Sequence, residues 1–184
     1  MGPSEFFRFC PACGRAGEPP ARRPAFVCAA CGFTYYFNSA LATATFIRRP
    51  DGRMLFIVRA RDPERGKLAP PGGFVDVGER VEDACRREVR EEVGLEITGV
   101  RFLGSFPNAY LYRDITYPVI DLFFAADAVA PETAVANDDA QSLSWLDPET
   151  EITPESLAFD SMRRALEIVR TERRLAREKA GGTS

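Results

Sequence analysis

Three glutamates, Glu88, Glu91 and Glu92, lie within five consecutive residues near the middle of the chain. Residues three and four apart share one face of a helix, so on a helix the three carboxylates would project together. Such like charges repel, whereas charged helices in solvent usually alternate in sign along a face. The cluster therefore predicts a compensating cation, and carboxylate oxygens select hard divalent ions such as Mg²⁺ or Mn²⁺. Ions of this kind suit phosphate chemistry, because they neutralise phosphate oxygens and activate water.

A glycine turn, Pro71-Gly72-Gly73, precedes this segment. Because glycine lacks a Cβ atom, the turn can bring backbone groups close to a metal ion or a phosphate. Glu79 and Arg87 stand near opposite ends of the unit formed by the loop and the helix. We expect them to form a bidentate pair that holds the loop against the helix and so places the three glutamates.

Two cysteine pairs, Cys10-Pro-Ala-Cys13 and Cys28-Ala-Ala-Cys31, are separated by fourteen residues. Each pair can supply two thiolates from a tight turn, and two such pairs complete a tetrahedron around Zn²⁺. The alternatives are two disulfides or a redox pair, but a cytosolic chain disfavours disulfides and a redox pair needs no matching partner. With no histidine and no open ligand position, the predicted zinc site is structural. Cys85 lies in a helical pattern and is expected to be a buried small hydrophobe.

The chain of 184 residues contains no histidine, which excludes Ser-His-Asp triads, Cys-His nucleophiles and metal sites built on histidine. Its formal net charge of −3 gives no overall reason to expect nucleic-acid binding. No apolar run reaches the ~18 residues of a membrane-spanning helix, and the N-terminus lacks the apolar segment of a signal peptide. We therefore expect a cytoplasmic protein.

The segment from Gly73 to Leu95 fits every defined position of the pattern G-x5-E-x7-R-E-U-x-E-E-x-G-U, where U is an aliphatic residue. This pattern resembles the signature of the Nudix hydrolases. The four-cysteine segment followed by Tyr35-Tyr36 is similar to the zinc ribbon that precedes the catalytic domain in bacterial NADH pyrophosphatases. The run around Trp145 resembles a late strand of many Nudix domains.

The resemblance implies an α/β fold, a sandwich of helices around a mixed sheet, with the signature forming a loop, a helix and a second loop. It implies Mg²⁺ or Mn²⁺ as the catalytic cofactor. Asp139 lies near where some members place an extra acidic ligand, although the alternative is a solvated acidic loop. The implied site consists of Glu88 and Glu92 as the main metal ligands, Glu91 as a third carboxylate that binds metal or handles a proton, the carbonyl of Gly72 as a backbone ligand, and Glu79 with Arg87 as the orienting pair.

The same resemblance implies hydrolysis of a diphosphate bridge between a nucleoside and a second moiety, as in NAD(H) or ADP-ribose. Phe106, Tyr110 and Tyr112 are candidates for stacking on a nucleobase, and Arg61 for contacting phosphate, whereas the alternatives are packing aromatics and a solvated loop charge. Two other functions stay open. One is a nucleotide-sensing regulator with a Nudix fold, and the other is an RNA 5′-end decapping or nucleic-acid-binding factor that uses the zinc ribbon. Relatives with ribbons also suggest a homodimer.

The elements that would position these residues follow from local pattern. Residues 1–38 are expected to form the zinc ribbon, and residues 39–184 the Nudix hydrolase domain. Small and β-branched residues around a Pro-Asp-Gly turn predict a hairpin, and Gly94 is expected to end a helix. The predicted elements are strands over 41–48, 54–58, 97–105, 117–126 and 142–146, and helices over 81–93 and 154–179.

Overall fold

The computed structural model describes residues 1–20, 24–137 and 140–181. They form two compact units, one of Met1–Ala40 with Ala109–Val119 and the other of Leu41–Asn108 with Ile120–Ser184. The first unit thus takes in the tip of a hairpin that comes much later in the chain. A division of the sequence into consecutive segments did not predict this.

The first unit is built on a small aromatic cluster beside the cysteines. Strands β1 (Ala25–Val27) and β2 (Thr34–Tyr36) pair antiparallel. The ring of Phe7 stacks on Tyr35 at a centroid distance of 5.1 Å and meets the edge of Phe37 at 4.7 Å. Phe26 is 1% exposed. These rings replace the large core that so short a segment cannot build.

The second unit contains a six-stranded sheet. Its strands pair in the order β5–β4–β3–β7–β6, and β8 pairs with β4. Two of the strands, β6 and β7, run into the hairpin tip of the first unit. The strand bounds are β3 (Ala40–Arg48), β4 (Met54–Arg59), β5 (Leu68–Ala69), β6 (Ile97–Tyr112), β7 (Ile115–Ala128) and β8 (Ala140–Leu146).

Two helices pack on the sheet, α1 (Val81–Val93) and α2 (Asp160–Gly181). Side chains alternate across a strand, so Thr43 and Thr45 of β3 face one layer and Phe46 the other. The thiol of Cys85 on α1 interacts with both threonine hydroxyls, whereas Phe46 lines a cavity together with residues of α2. The helices therefore cover opposite faces of the sheet, as the predicted α/β sandwich requires.

Helix α1 begins and ends at the predicted residues. Its buried face includes Ala84, Cys85, Val89 and Val93, and Gly94 closes it in the left-handed conformation at φ 67°. The N–H of Gly94 donates to the carbonyl of Arg90 at 3.0 Å, which satisfies a carbonyl that the helix end would otherwise leave open. Among the described residues, no helix combines the length and the apolar character needed to cross a bilayer.

Candidate active site and cysteine cluster

The glycine turn lies directly against strand β3. The N–H of Thr43 donates to the carbonyl of Gly73, and that of Thr45 to the carbonyl of Pro71, both at 2.8 Å. A Cβ atom on Gly72 would stand 2.0 Å from the carbonyl oxygen of Thr43. Only glycine therefore allows the turn to approach the strand this closely.

Two of the three glutamates reach from α1 to this turn. Glu92 is 7% exposed, and its Oε2 accepts the N–H of Gly72 at 2.8 Å. The Glu88 carboxylate lies so close to Gly73 that a Cβ there would stand 2.6 Å from its Cδ atom. Burial raises the pKa of Glu88, although the neighbouring guanidinium of Arg87 opposes the shift. A carboxylate desolvated in this way gains from a bound cation.

Arg87 joins the loop to the helix. Its Nε and Nη2 atoms donate to the two carboxylate oxygens of Glu79, each at 2.9 Å, so the expected bidentate geometry is present. Nη2 also donates to the carbonyl of Phe74 at 2.9 Å, and Nη1 donates to Glu88 at 2.6 Å and to Glu91 at 3.1 Å. The hydrogen bonds from Arg87 lower the pKa of Glu79, and Glu79 in turn raises the pKa of Arg87.

The three carboxylates do not converge on one point. Among the residues that the structure describes, the four paired cysteines form the one group of three or more potential ligands whose atoms all lie within 4.8 Å of one another. Glu88 and Glu91 turn towards Arg87, whereas Glu92 turns towards Gly72. The side chain of Glu91 is also 53% exposed. Like charges on one helix face repel, and here Glu88 and Glu91 share the Nη1 donor of Arg87 whereas Glu92 takes the N–H of Gly72.

A polar layer that sequence reasoning missed lies between β3 and α1. The hydroxyls of Thr43 and Thr45 are buried beside the thiol of Cys85. Cys85 beside them is fully buried, and this burial raises the pKa of its thiol to about 11. The expectation of a buried Cys85 is confirmed, and two threonine hydroxyls lie beside it.

The four paired cysteines lie in the first unit and bring their sulfur atoms together. The Sγ atoms of Cys10 and Cys31 are 3.7 Å apart, as are those of Cys13 and Cys28. Four thiolates around zinc at the usual Zn–S distance of ~2.3 Å would be about 3.8 Å apart, whereas a disulfide is ~2.05 Å long. The separations therefore fit a tetrahedral ion and not two disulfides.

The two cysteine turns repeat one backbone pattern. Gly14 follows the first pair at φ 70° and Gly32 the second at φ 76°. Each glycine N–H donates at 2.9 Å to the carbonyl of the first cysteine in its turn, Cys10 or Cys28. Backbone N–H groups of Cys31 and Ala30 lower the pKa of Cys28 to about 6.

The predicted substrate contacts are divided between the two units. Phe106 and Arg61 belong to the second, and Tyr110 and Tyr112 to the first. The ring of Phe106 packs against Phe123 at a centroid distance of 6.1 Å. Packing of this kind is the alternative to stacking on a nucleobase. Tyr112 is 47% exposed. Asp139 lies outside the described residues.

A second buried acid was also missed. Asp121 is 7% exposed on β7, and its Oδ2 accepts the hydroxyl of Ser161 on α2 at 2.5 Å. The side chain of Asn108 on β6 also hydrogen-bonds to it, and burial raises its pKa. The available signal was one acidic residue inside the otherwise apolar run from Val119 to Ala126.

Comparison with known proteins decides the family. The NUDIX domain family model matches residues 38–166. The chain belongs to the Nudix family. The resemblance carried by the segment from Gly73 to Leu95 is thereby confirmed, together with the predicted α/β fold and mixed sheet.

Individual Nudix relatives agree with this assignment. An ADP-ribose pyrophosphatase of Methanocaldococcus jannaschii is 34% identical over 135 residues, covering 71% of this chain and 78% of the relative. The NAD-capped RNA hydrolase NudC of Pseudomonas aeruginosa is 30% identical over 144 residues, covering 75% of this chain and 47% of the relative. The chain thus spans about half the length of that NudC. The structure of a MutT NUDIX hydrolase from Burkholderia pseudomallei matches with a TM-score of 0.61 at 27% identity, covering 72% of this chain and 98% of the other.

Proposed function

We propose that this protein hydrolyses a diphosphate bridge between a nucleoside and a second moiety, with NAD(H) or ADP-ribose as the substrate type. One observation carries the proposal: Glu88 and Glu92 reach from one helix to a glycine turn. Residues larger than glycine would not allow the turn to lie so close to β3 and to the Glu88 carboxylate. In the reaction, a water oxygen adds to one phosphorus and the bridging P–O bond breaks, so two monophosphates leave. ADP-ribose would give AMP and ribose 5-phosphate.

The oxygen donors of this site are of the type that a divalent cation takes, and its binding would require the three carboxylates to turn from Arg87 and Gly72 towards one point. Glu88, Glu91 and Glu92 with the carbonyl of Gly72 would supply the hard oxygen ligands that Mg²⁺ or Mn²⁺ prefers. The missing Cβ of Gly73 gives the Glu88 carboxylate its room, and the burial of Glu88 favours a cation as its partner. When bound, such an ion neutralises charge on the phosphate oxygens and lowers the pKa of a coordinated water.

Arg87 acts as a positioning residue. Its two bonds to Glu79 and its bond to the carbonyl of Phe74 fix the loop, and its bond to Glu88 fixes the adjoining carboxylate. A bidentate guanidinium holds such an arrangement in a way that a lysine cannot. The precise placement of the glutamates, rather than a histidine base, would therefore supply the rate acceleration. Enzymes that transfer phosphoryl groups generally act through positioning and electrostatic stabilisation.

The cysteine cluster is proposed to hold one structural Zn²⁺. Four thiolate ligands leave no open coordination position, which is typical of structural zinc sites. The ion would stabilise a unit whose core consists of a few aromatic rings and two buried cysteines.

The names of the relatives favour this substrate class. One of the two acts on ADP-ribose and the other on NAD-capped RNA, by their names, and both substrates contain a diphosphate-linked nucleoside. The NudC likeness also keeps RNA 5′-end decapping as the second candidate function. Tyr110, Tyr112 and Arg61 remain the proposed substrate contacts, and Phe106 adds a core contact to its proposed stacking role. The cytoplasmic location and the homodimer stay predictions of the sequence.

A turnover screen tests the proposal. Purified protein is assayed with ADP-ribose, NADH, diadenosine tetraphosphate, ATP, 8-oxo-dGTP and an NAD-capped RNA, with and without Mg²⁺ or Mn²⁺. We expect cation-dependent release of monophosphates from ADP-ribose or NADH. Much faster hydrolysis of ATP or 8-oxo-dGTP would overturn the substrate class, and the absence of any turnover with bound nucleotide would favour the regulator.

A further inference from the structure

The backbone of Thr43 and Thr45 on β3 holds the glycine turn in place. Their N–H groups donate to the carbonyls of Gly73 and Pro71, both at 2.8 Å. The carbonyl oxygen of Thr43 lies so close to the turn that a Cβ atom on Gly72 would stand 2.0 Å from it. The position of the turn is therefore set by these two threonines.

The side chains of the same two threonines attach helix α1 to the strand. Alternate residues of a strand face the same side of a sheet, so both hydroxyls lie on the side of α1. Thr43 is 3% exposed and Thr45 is 0% exposed, and the thiol of Cys85, which is also 0% exposed, interacts with both hydroxyls. We call these three side chains the polar layer. It joins the helix to the residues that hold the turn.

The polar layer lies on the helix face that carries the carboxylates. Glu88 and Glu92 follow Cys85 by three and seven residues, so the three side chains project from one side of α1. The buried face of α1 also includes Val89 and Val93, but apolar contacts are non-directional. Hydrogen bonds between polar groups depend on direction, so the polar layer fixes how far α1 is shifted along the strand.

Arg87 attaches the same helix from its outer side. It follows Cys85 by two residues, which is about 200° around the helix, and it donates to Glu79 and to the carbonyl of Phe74. The arginine thus joins α1 to the loop, and the polar layer joins α1 to the strand. Attachments on nearly opposite sides oppose rotation of the helix about its axis as well as sliding.

We propose that Thr43, Thr45 and Cys85 are positioning residues for the carboxylate site, because they align α1 with the glycine turn. These roles rest on the proposed function, since the groups that they place are its metal ligands. A displacement of about 1 Å in a catalytic group commonly lowers a rate about 100-fold. Loss of the polar layer therefore weakens both cation binding and turnover, even where the fold is kept.

Variants of the zinc-loaded full chain separate positioning from stability. Cys85→Ala leaves two buried hydroxyls beside an apolar side chain, which should lower the thermal midpoint. Adding Thr43→Val and Thr45→Val removes those hydroxyls at nearly constant shape, so the triple variant should regain stability. We expect both variants to need about tenfold more Mg²⁺ for half-maximal hydrolysis of ADP-ribose. They should also bind Mn²⁺ alone about tenfold more weakly, as measured by electron paramagnetic resonance without substrate.

Two controls are matched to these variants. Cys85→Ser keeps a hydrogen-bonding group in the polar layer and should stay within about threefold of the wild type in both measurements. Ile47 is 0% exposed on the same face of β3 and has no polar side-chain atom. Ile47→Val should lower the thermal midpoint without changing the Mg²⁺ requirement or Mn²⁺ binding.

The results separate this inference from the proposed hydrolysis. If the triple variant regains its Mg²⁺ requirement and Mn²⁺ binding to within about threefold of the wild type, the polar layer only stabilises the fold and the positioning role is overturned. An equal loss of Mn²⁺ binding in Ile47→Val overturns it as well. A wild-type chain that neither binds Mn²⁺ nor hydrolyses ADP-ribose overturns the proposed function itself, and the positioning role with it.

Discussion

Replacing Gly73 with alanine is expected to remove activity while leaving the fold intact. A Cβ at this position would stand 2.6 Å from the Cδ and Oε2 atoms and 2.7 Å from the Oε1 atom of Glu88. Real Cβ contacts are rarely closer than 3.4 Å, so the carboxylate must retreat by about 0.8 Å. The atoms that move are the end of a flexible side chain, and the φ of Gly73 lies outside the left-handed region. The cost to the fold is therefore small.

The cost to catalysis is much larger. A misplacement of about 1 Å in a catalytic group commonly lowers the rate about 100-fold, which corresponds to ~2.7 kcal/mol of barrier. We expect Gly73→Ala to lower kcat/KM for ADP-ribose about 100-fold and to require more Mg²⁺ for half-maximal rate. Its thermal midpoint should stay within about 3 °C of the wild type, because no buried backbone group loses a partner.

The neighbouring glycine provides the control. In Gly72→Ala the new Cβ would stand 2.0 Å from a backbone oxygen of Thr43, which cannot swing away. This variant should lose stability as well as activity, and both are measured by thermal unfolding and initial rates. If Gly73→Ala keeps its rate within about threefold of the wild type, the placement of Glu88 does not limit catalysis and the reasoning fails.

Three further predictions concern zinc, the positioning arginine and the buried acid. Purified protein should contain one zinc per chain, and Cys28→Ser should lose it and unfold the first unit, because structural zinc supplies roughly 10 kcal/mol in small modules. Arg87→Lys should raise the Mg²⁺ requirement about tenfold, because lysine cannot make both bonds to Glu79. Burial raises the pKa of Asp121 above its ordinary value of 3.8. Between the pKa of the unfolded chain and that of the folded chain, the folded chain keeps a proton that the unfolded chain has released. The free energy of unfolding therefore falls as the pH rises through this range. Asp121→Asn should remove that part of the pH dependence.

Each of these predictions has a direct check. Elemental analysis of Cys85→Ser, whose sulfur lies outside the cluster, should still give one zinc, and a stable zinc-free wild type would contradict the structural role. Unchanged Mg²⁺ dependence in Arg87→Lys would show that the arginine only stabilises the fold. Denaturant titrations from pH 4 to pH 7 compare wild type with Asp121→Asn, and identical pH slopes would mean that Asp121 titrates normally in the folded chain.

Local sequence pattern was sufficient for the helix that carries the glutamates. Helix α1 covers residues 81–93 as predicted, since its apolar spacing and Gly94 lie within the segment itself. The hairpin of β3 and β4 follows in the same way from its turn and its β-branched residues. The bidentate pair of Glu79 and Arg87 was predicted, but the hydrogen bonds of Glu88 and Glu91 to Arg87 and of Glu92 to Gly72 depend on the folded loop.

Longer-range packing decided the features that sequence pattern did not predict. The strand predicted over 97–105 was expected to end there, yet β6 continues to Tyr112. Pro107 is tolerated because β6 is the last strand in the sheet order, where one side of the strand needs no N–H donor. The burial of Asp121 similarly depends on β6 and α2, which are distant in sequence and meet only in the folded chain.

The metal dependence of turnover in matched glutamine variants tests the central claim most directly. Initial rates of ADP-ribose hydrolysis are measured against Mg²⁺ concentration for the wild type, Glu88→Gln, Glu92→Gln and the control Glu82→Gln, whose side chain is 47% exposed on the same helix. We predict a saturable Mg²⁺ dependence in the wild type and the control, and a loss of at least about 100-fold in the other two variants with unchanged circular dichroism. Near wild-type rates in Glu88→Gln and Glu92→Gln, or a wild-type rate that does not depend on a divalent cation, would contradict the assignment of this helix as the catalytic metal site.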